Sequence, residues 1–265
     1  MAAPWVFRGL RNGVVTSRWP HRPDAYFDTF PASVEIVDQR AGISADDASQ
    51  LCPTGAIGAS ANGVRIDRGR CISCGLCVAA RPDVFSWRSG ADTAALARDL
   101  LVVPSLSDTD QGVEDVRRKL AHRVRRLRRS VHIRHVDAGS DGSDEWEAQA
   151  LVNPVYDIHR LGIFFTASPR HADILLVTGI GTAGMVAPLL RTREAMPEPV
   201  VVIAAGSDAV SGGLIGPGYT AGRGVQAILP IDVWIPGAPA SPFSLMHGIL
   251  LALGRLPLAP LMGGR

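Results

Sequence analysis

Apolar positions along the chain follow two rhythms. In the middle, Val113, Val116, Leu120, Val124, Leu127 and Val131 are spaced by 3, 4, 4, 3 and 4 residues, one stripe of an amphipathic helix. In the last third the apolar runs become continuous. ILLVT at 174–178, VVVIA at 200–204 and IDVWI at 231–235 read as buried strands. A helix is expected over 183–195, between the first two. A closing helix is expected over 241–254, with Ser241 near its N-cap and Pro242 in its first turn. Strands alternating with helices predict a parallel α/β sheet with helices on both faces.

No apolar run reaches the roughly 18 residues of a membrane span. The most apolar stretch, Leu245 to Leu253, is broken by His247 and reads as a buried helix. The first residues, MAAPWVFRGLRNGVVTSRWP, lack the apolar run and the cleavage site of a signal peptide.

The chain has 265 residues, enough for one large domain or two smaller ones. Hydrophobic residues make up 46%, which excludes a disordered or fibrous chain. The net charge of +2 hides a local excess. Eight of the thirteen residues from Arg117 to Arg129 are Lys or Arg, and without them the chain is net acidic. The amphipathic stripe runs through this basic segment. Three roles suit it: a linker helix with solvated arginines, a dock for an acidic partner subunit, or a dock for an anionic membrane surface. No nucleic-acid module accompanies it, so no nucleic acid is expected.

The four cysteines, Cys52, Cys71, Cys74 and Cys77, fall within 26 residues. A secreted disulfide scaffold would spread them, so this distribution indicates a local metal site in a reducing compartment. Cys71, Cys74 and Cys77 form C-x2-C-x2-C, a spacing that presents three thiolates from one tight loop. Arg81 stands where the run's fourth cysteine would serve a second cluster, and Pro82 follows it. Cys52, in LCPTGAI, ends the companion run. Counting back by the same spacing, that run's other positions are Gly42, Ala45 and Ala48, and none binds iron. Cys52, Cys71, Cys74 and Cys77 therefore make one complete 4Fe–4S set, and the second set has lost its ligands. Zinc is the alternative, although its ligands usually come as two separated pairs. The region resembles a half-degenerate two-cluster, bacterial-type ferredoxin domain. The upstream RGLRNGVVTSRWP is similar to the lead-in of the ferredoxin-type subunit of complex I and related membrane hydrogenases.

Four further strings are specific: RHVDAGSDGSDEWE (134–147), NPVYDIHRLGIFFTASPRHADILLVTG (153–179), AAGSDAVSGG (204–213) and LPIDVWIPGAPASPFSLMHGILLALGR (229–255). Together they resemble the 20-kDa subunit of complex I and the small subunit of group 4 membrane-bound NiFe hydrogenases. The resemblance implies a flavodoxin-like fold that holds a 4Fe–4S cluster beside a large catalytic subunit. It also implies four cluster cysteines, but those positions here read Asp141, Asp144, Asp208 and Ala238. Carboxylates prefer hard cations or water to reduced iron–sulfur cores, so a normal cluster is not expected there. Either the aspartates tolerate a wet, empty pocket, or they converge as a proton-relay or cation site with at least one raised pKa. Partial ligation of a cluster by aspartate is a third reading. The resemblance further places the loop of Arg170 and His171 near the cluster cavity. From the residues alone, both read as surface or interface positions.

Gly179, Gly181 and Gly184 spell G-x-G-x-x-G between a strand and a helix, the setting of a dinucleotide fingerprint. Asp208 lies downstream near the position of a ribose carboxylate. An NAD(P)-binding oxidoreductase is therefore an alternative.

The expectation is an α/β chain with three regions: a small α+β ferredoxin-like domain at 1–92, a linker with a basic amphipathic helix at 93–136, and the flavodoxin-like domain at 137–265. It is expected to act as an electron-transfer subunit with one 4Fe–4S cluster and no catalysis of its own. Its partners would be a large catalytic-type subunit and membrane subunits, on the cytoplasmic face of the membrane. A scaffold role for a cluster-free C-terminal domain is the structural alternative. The nucleotide reading is open to a direct check. No shift in melting temperature is expected at millimolar NAD(H) or NADP(H), and a clear rise would establish it.

Overall fold

The computed structural model describes residues 4–38, 44, 47, 50–60, 63–104, 110–125, 127 and 130–256. Gly42, Ala45 and Ala48, the degenerate positions of the companion run, lie outside the described residues, as do Arg126, Arg128 and Arg129 of the basic segment.

The N-terminal part begins with helix α1 (Trp5–Asn12) and contains two small antiparallel sheets. Strand β1 (Pro31–Ile36) pairs with β4 (Phe85–Ser89). Strands β2 (Ile57–Ser60) and β3 (Gly63–Asp67) form a hairpin, and β5 (Val102–Val103) adds to β3. Helix α2 (Leu76–Ala80) lies between β3 and β4. Val34, Ile57, Val64, Ile66, Val84 and Phe85 make a small separate core. The Arg98 guanidinium closes its edge with two bonds to the Asp67 carboxylate, at 2.8 and 2.7 Å.

Helix α3 (Asp110–Val124) follows. Leu120 and Val124 are buried in the main core, so the end of the apolar stripe packs inward, while Val116 is exposed. The sequence carries that stripe through Val131, but the helix ends at Val124. Val131 instead opens strand β6 (Val131–Asp137), where it pairs with Ile163. A stripe that coincides with helical spacing does not require a helix when β-branched residues can join a sheet. This strand, absent from the sequence-based expectation, sits inside the sheet between two neighbours.

The remaining elements are helix α4 (Ser143–Ala150), strands β7 (Ile163–Phe165) and β8 (Ile174–Thr178), helix α5 (Val186–Glu194), strand β9 (Val201–Ala205), helix α6 (Gly206–Ser211), strand β10 (Val233–Ile235) and helix α7 (Pro242–Ala252). Strands β6 to β10 form one parallel sheet in the order β10-β9-β8-β6-β7. Counted from its first strand, that order is 2-1-3-4-5, the flavodoxin-like arrangement. β8 falls at 174–178 as expected. β9 is displaced by one residue and β10 is shorter than the run that announced it. The helix expected over 183–195 opens as a 3-10 turn at Ala183–Met185. In α7 the Ser241 side chain caps the helix by accepting from the Ser244 N–H at 3.2 Å. Among the described residues no helix is long and apolar enough to cross a membrane.

Both faces of the sheet are covered. On one face Ile133, Ile174, Leu176, Ile203 and Ile235 pack with α7 and with Trp19, Ala94 and Leu96 from the N-terminal part. On the other, Leu175, Val177, Val202 and Trp234 pack with Leu189 of α5 and with Leu100 and Leu101. Phe243 joins the two halves, because its ring meets Trp19, Phe27, Phe30 and Tyr156 at centroid distances of 5.9, 5.5, 5.9 and 5.1 Å. Phe243→Ala is expected to lower unfolding stability by about 3–5 kcal/mol, measured by urea denaturation.

Candidate functional site: a cysteine pocket beside a carboxylate cluster

The β2–β3 hairpin explains how distant cysteines meet. Ile57 pairs with Ile66, and the Asp67 N–H donates to the Ala56 carbonyl at 2.7 Å. Cys52 precedes β2 and Cys71 follows β3, so both emerge at the same end of the hairpin. The chain then turns through Ser73 and Gly75, at φ 52° and 76°, into α2, which carries Cys77. At Gly75 a side chain would meet the Trp87 ring at 3.0 Å in a left-handed backbone, so glycine is required there.

All four cysteines line one cavity, whose other walls include Val34, Ile57 and Ile66. The sulfurs already accept bonds from the fold: Cys52 Sγ from the Ala56 N–H at 3.2 Å, and Cys71 Sγ from the Ser73 N–H at 3.4 Å. The Thr54 hydroxyl lies 3.5 Å from Cys52 Sγ. Burial pushes the Cys77 thiol up to about 11 and raises Cys71. Burial also works against the Cys52 thiolate, but the Thr54 hydroxyl and the N–H groups around it outweigh burial and lower its pKa. Arg68, largely buried, stands beside Cys71 with Glu35 at 3.9 Å.

Soft thiolates, N–H donors to sulfur and apolar walls suit an iron–sulfur cluster. Among the described residues, no group of three or more His, Cys, Asp or Glu side chains is placed to hold a metal ion. The cysteines border a shared space instead. Arg81, at the vacated fourth position, pairs with Asp83 at 2.7 Å on the surface.

The second set of positions lies at the carboxyl ends of the parallel strands, where ligands of open α/β sheets bind. Asp141 and Asp144 follow β6, Asp208 is in the first turn of α6 after β9, and Ala238 is in the loop after β10. Asp144 is 3% exposed and accepts from the Ala240 N–H at 3.0 Å. Its carboxyl lies against Gly206, where any Cβ would come within 1.9 Å of Oδ2. Burial first, then the charges of Asp208, Glu145 and Asp141, push Asp144 up to about 8. Asp208 is raised by burial, then by Asp141 and Glu145. Asp141 is held low by the Ser143 hydroxyl and N–H. The three carboxylates thus share one electrostatic neighbourhood, with the proton held on Asp144. Ala238 is exposed and borders a cavity shared with Ile72, Ser73 and Glu147, between the two halves.

The buried Ser207 hydroxyl ties the two sites together. It donates to the Cys71 carbonyl at 2.8 Å and accepts from the Gly237 N–H at 3.2 Å. Sequence reasoning missed this residue, whose only signal was its place beside Asp208. It also missed a chain of polar groups behind the carboxylates. The Thr178 hydroxyl bonds Glu145 and lies 2.9 Å from His135 Nε2, while Ser140 donates to Glu145 at 2.7 Å. Burial lowers the pKa of His135.

Two other expectations fare differently. Gly179 and Gly181 have φ of 81° and 74°, and a side chain on either would strike backbone, of Gly139 at 2.7 Å or of Gly224 at 3.0 Å. Close packing of loops accounts for these glycines without a pyrophosphate. Arg170 and His171 are exposed in the 3-10 turn Pro169–His171 before β8, at the amino-terminal end of the sheet. They are not at the carboxyl-end loops, because in a parallel sheet the connection entering a strand lies opposite the one leaving it.

Two family models match separate parts of the chain. The family described as NADH ubiquinone oxidoreductase, 20 Kd subunit, matches residues 142–252. A 4Fe-4S single cluster domain matches residues 64–125, a span that contains Cys71, Cys74 and Cys77 and begins after Cys52. The chain is 36% identical to formate hydrogenlyase subunit 7 of Escherichia coli over 60% of its length and 61% of the relative's. It therefore spans less than two thirds of that protein. It is 35% identical to a probable membrane-bound hydrogenase subunit, mbhJ, of Pyrococcus furiosus, over 52% of this chain and 83% of that one. A solved chain of an archaeal membrane-bound sulfane sulfur reductase is 29% identical over 51% of this chain and 77% of that chain, with a TM-score of 0.44.

Asp144 lies inside the first matched span and makes a measurable claim. Its native pKa of about 8 exceeds the unperturbed 3.8, so between these values the folded state holds a proton that the unfolded chain has released. Its contribution to stability is complete below about pH 4 and is lost as pH rises towards 8. Urea unfolding over that range should show falling stability, and Asp144→Asn, which keeps the acceptor for Ala240, should flatten the dependence.

Proposed function

Because the chain belongs to the NADH ubiquinone oxidoreductase 20 Kd subunit family, we propose that it is an electron-transfer subunit of a membrane-bound complex of the hydrogenase or complex I type. The observation that carries this reading is the convergence of all four cysteines on one cavity, within a chain matched by a 4Fe-4S domain. In this proposal Cys52, Cys71, Cys74 and Cys77 hold a single 4Fe–4S cluster. When bound, the cluster supplies one-electron transfer. The protein binds it, excludes water with Val34, Ile57 and Ile66, and sets its potential through the Ala56 and Ser73 N–H groups and the Arg68 charge.

The finer parts of the proposal concern organisation. Residues 1–92 form the cluster-bearing region, 93–136 the connection with its basic helix, and 137–265 the domain that docks a large catalytic-type subunit. The chain then sits at the cytoplasmic face of the membrane, held by that subunit and by membrane subunits, a reading supported by its likeness to a membrane-bound hydrogenase subunit. We place no cluster in the C-terminal domain. Asp144, buried and bonded to Ala240, fastens two loops there in place of a thiolate. This supports a scaffold role for that domain alongside electron transfer in the first.

Anaerobic iron and sulfide analysis with EPR tests the proposal. About four irons per chain and one cluster signal are expected. Simultaneous replacement of Asp141, Asp144, Asp208 and Ala238 by cysteine should raise the reconstituted content towards about eight. About eight irons in the unaltered chain would refute the cluster-free domain, and zinc without iron would refute the ferredoxin reading.

A further inference from the structure

The basic helix α3 has the last turns of its apolar stripe covered. Leu120 and Val124 of its stripe are buried in the core, and Arg123 pairs with Asp232. Helix α1 is different, because it buries none of its residues. At 100° per residue, Trp5, Val6, Phe7 and Leu10 occupy one arc of α1, and Arg8 and Arg11 occupy the other. Trp5 is 83% and Leu10 74% exposed, and the exposed side chains of Val14 and Val15 extend the apolar surface beyond the helix.

The chain just beyond the helix is fixed to the body. Immediately after it, the Thr16 hydroxyl donates to the Pro154 carbonyl at 2.7 Å, and the Ser17 N–H to the Val155 carbonyl at 2.7 Å. Trp19 then enters the main core. The helix therefore leaves the body from a fixed point at Thr16 and Ser17, and its apolar arc is exposed.

Charge identifies what that face meets. No Asp or Glu occurs before Asp24, while Arg8, Arg11, Arg18 and Arg22 are all cationic. Beside the tether, a turn closed by the Arg22 N–H on the Arg18 carbonyl at 3.1 Å brings two of these arginines together. Arg18, His21 and Arg22 line an open cavity with Arg160 and with the small polar residues Thr16 and Ser17. Among the described residues, no carboxylate lines it. Arg160 is braced from behind by the Trp19 and Tyr156 carbonyls, with Asp157 and Asp24 nearby. The cavity offers guanidinium groups, the chemistry that recognises a phosphate. An apolar face rich in aromatic residues, flanked by arginines and by a phosphate-like cavity, matches the cross-section of an anionic lipid interface.

We propose that α1 lies in the plane of an anionic phospholipid surface, with Trp5, Phe7 and Leu10 among the upper acyl segments and the Arg18–Arg22–Arg160 cavity on a lipid phosphate. This contact is direct and does not depend on cluster content. It places the lipid surface at α1 rather than at the basic helix.

Co-sedimentation of the full chain with vesicles tests it. The chain should bind phosphatidylcholine vesicles that contain on the order of a third phosphatidylglycerol, less at high salt, and should not bind phosphatidylcholine alone. The double variant Trp5→Ser, Leu10→Ser should lose about tenfold or more in partitioning, as should Arg18→Ser, Arg22→Ser. Arg117→Ser, Arg118→Ser on α3 should bind like the parent. All these sites are on the surface, and unchanged circular dichroism and melting temperature identify variants that remain folded. Absence of vesicle binding, equal binding to neutral vesicles, or binding unaltered in both of the first two variants would overturn the proposal. Displacement from vesicles by millimolar inorganic phosphate would assign the cavity to a free anion and would also overturn it.

Discussion

The constraint on which the rest of this structure depends is that a parallel sheet must be covered on both faces. Strands β8 and β9 are buried along their whole length, so neither face of the sheet can meet water. The C-terminal half does not supply all of the cover. Trp19, Ala94 and Leu96 close one face, and Leu100 and Leu101 close the other. The segment around Leu96 to Leu101 even joins the sheet's edge, since Ala95 bridges Trp234 by bonds of 2.9 and 2.8 Å. The two halves are therefore not beads on a string. The N-terminal part completes the core of the C-terminal part.

This packing sets the position of the cysteine pocket. The segment that leaves the β3 strand must run past the carboxyl ends of β9 and β10, where Ser207 accepts Gly237 and donates to Cys71. The same strand ends carry Asp141, Asp144 and Asp208. A place that suits thiolates and a place that holds carboxylates thus stand side by side, joined by one buried hydroxyl. The chemistry of the two differs because the residues differ. Thiolates with N–H donors suit a soft iron–sulfur core, whereas a buried carboxyl without a cationic partner keeps its proton. Asp144 therefore fastens two loops as a carboxyl whose pKa burial raises to about 8.

The cysteine spacing was legible because ligands in a tight loop are set by local geometry. Cys52 could be added from the companion run, and the hairpin explains why it arrives. Strands β8 and β9 were legible because a strand buried on both faces has no polar residues to obscure it. Strand β6 was not. VHIRHVD carries alternating polar residues, and its first valine completed a helical stripe by coincidence of spacing. The glycine string was misleading for a related reason. Glycines that allow two loops to touch look the same in a sequence as glycines that allow a phosphate to approach.

The sequence by itself determined the grouping and spacing of the four cysteines, the absence of cysteine from the rest of the chain and the alternation of elements that makes a doubly covered sheet. These follow from local spacing and from the chemistry of side chains, which need no knowledge of neighbours. Only the tertiary structure decided which apolar stripe is covered and which is free, how deeply Asp144 is buried, and that Ser207 links the pocket to the carboxylates. Burial and contact are properties of residues far apart in the chain. Leu120 and Trp5 carry the same apolar character, and only the fold places one in the core and the other in solvent.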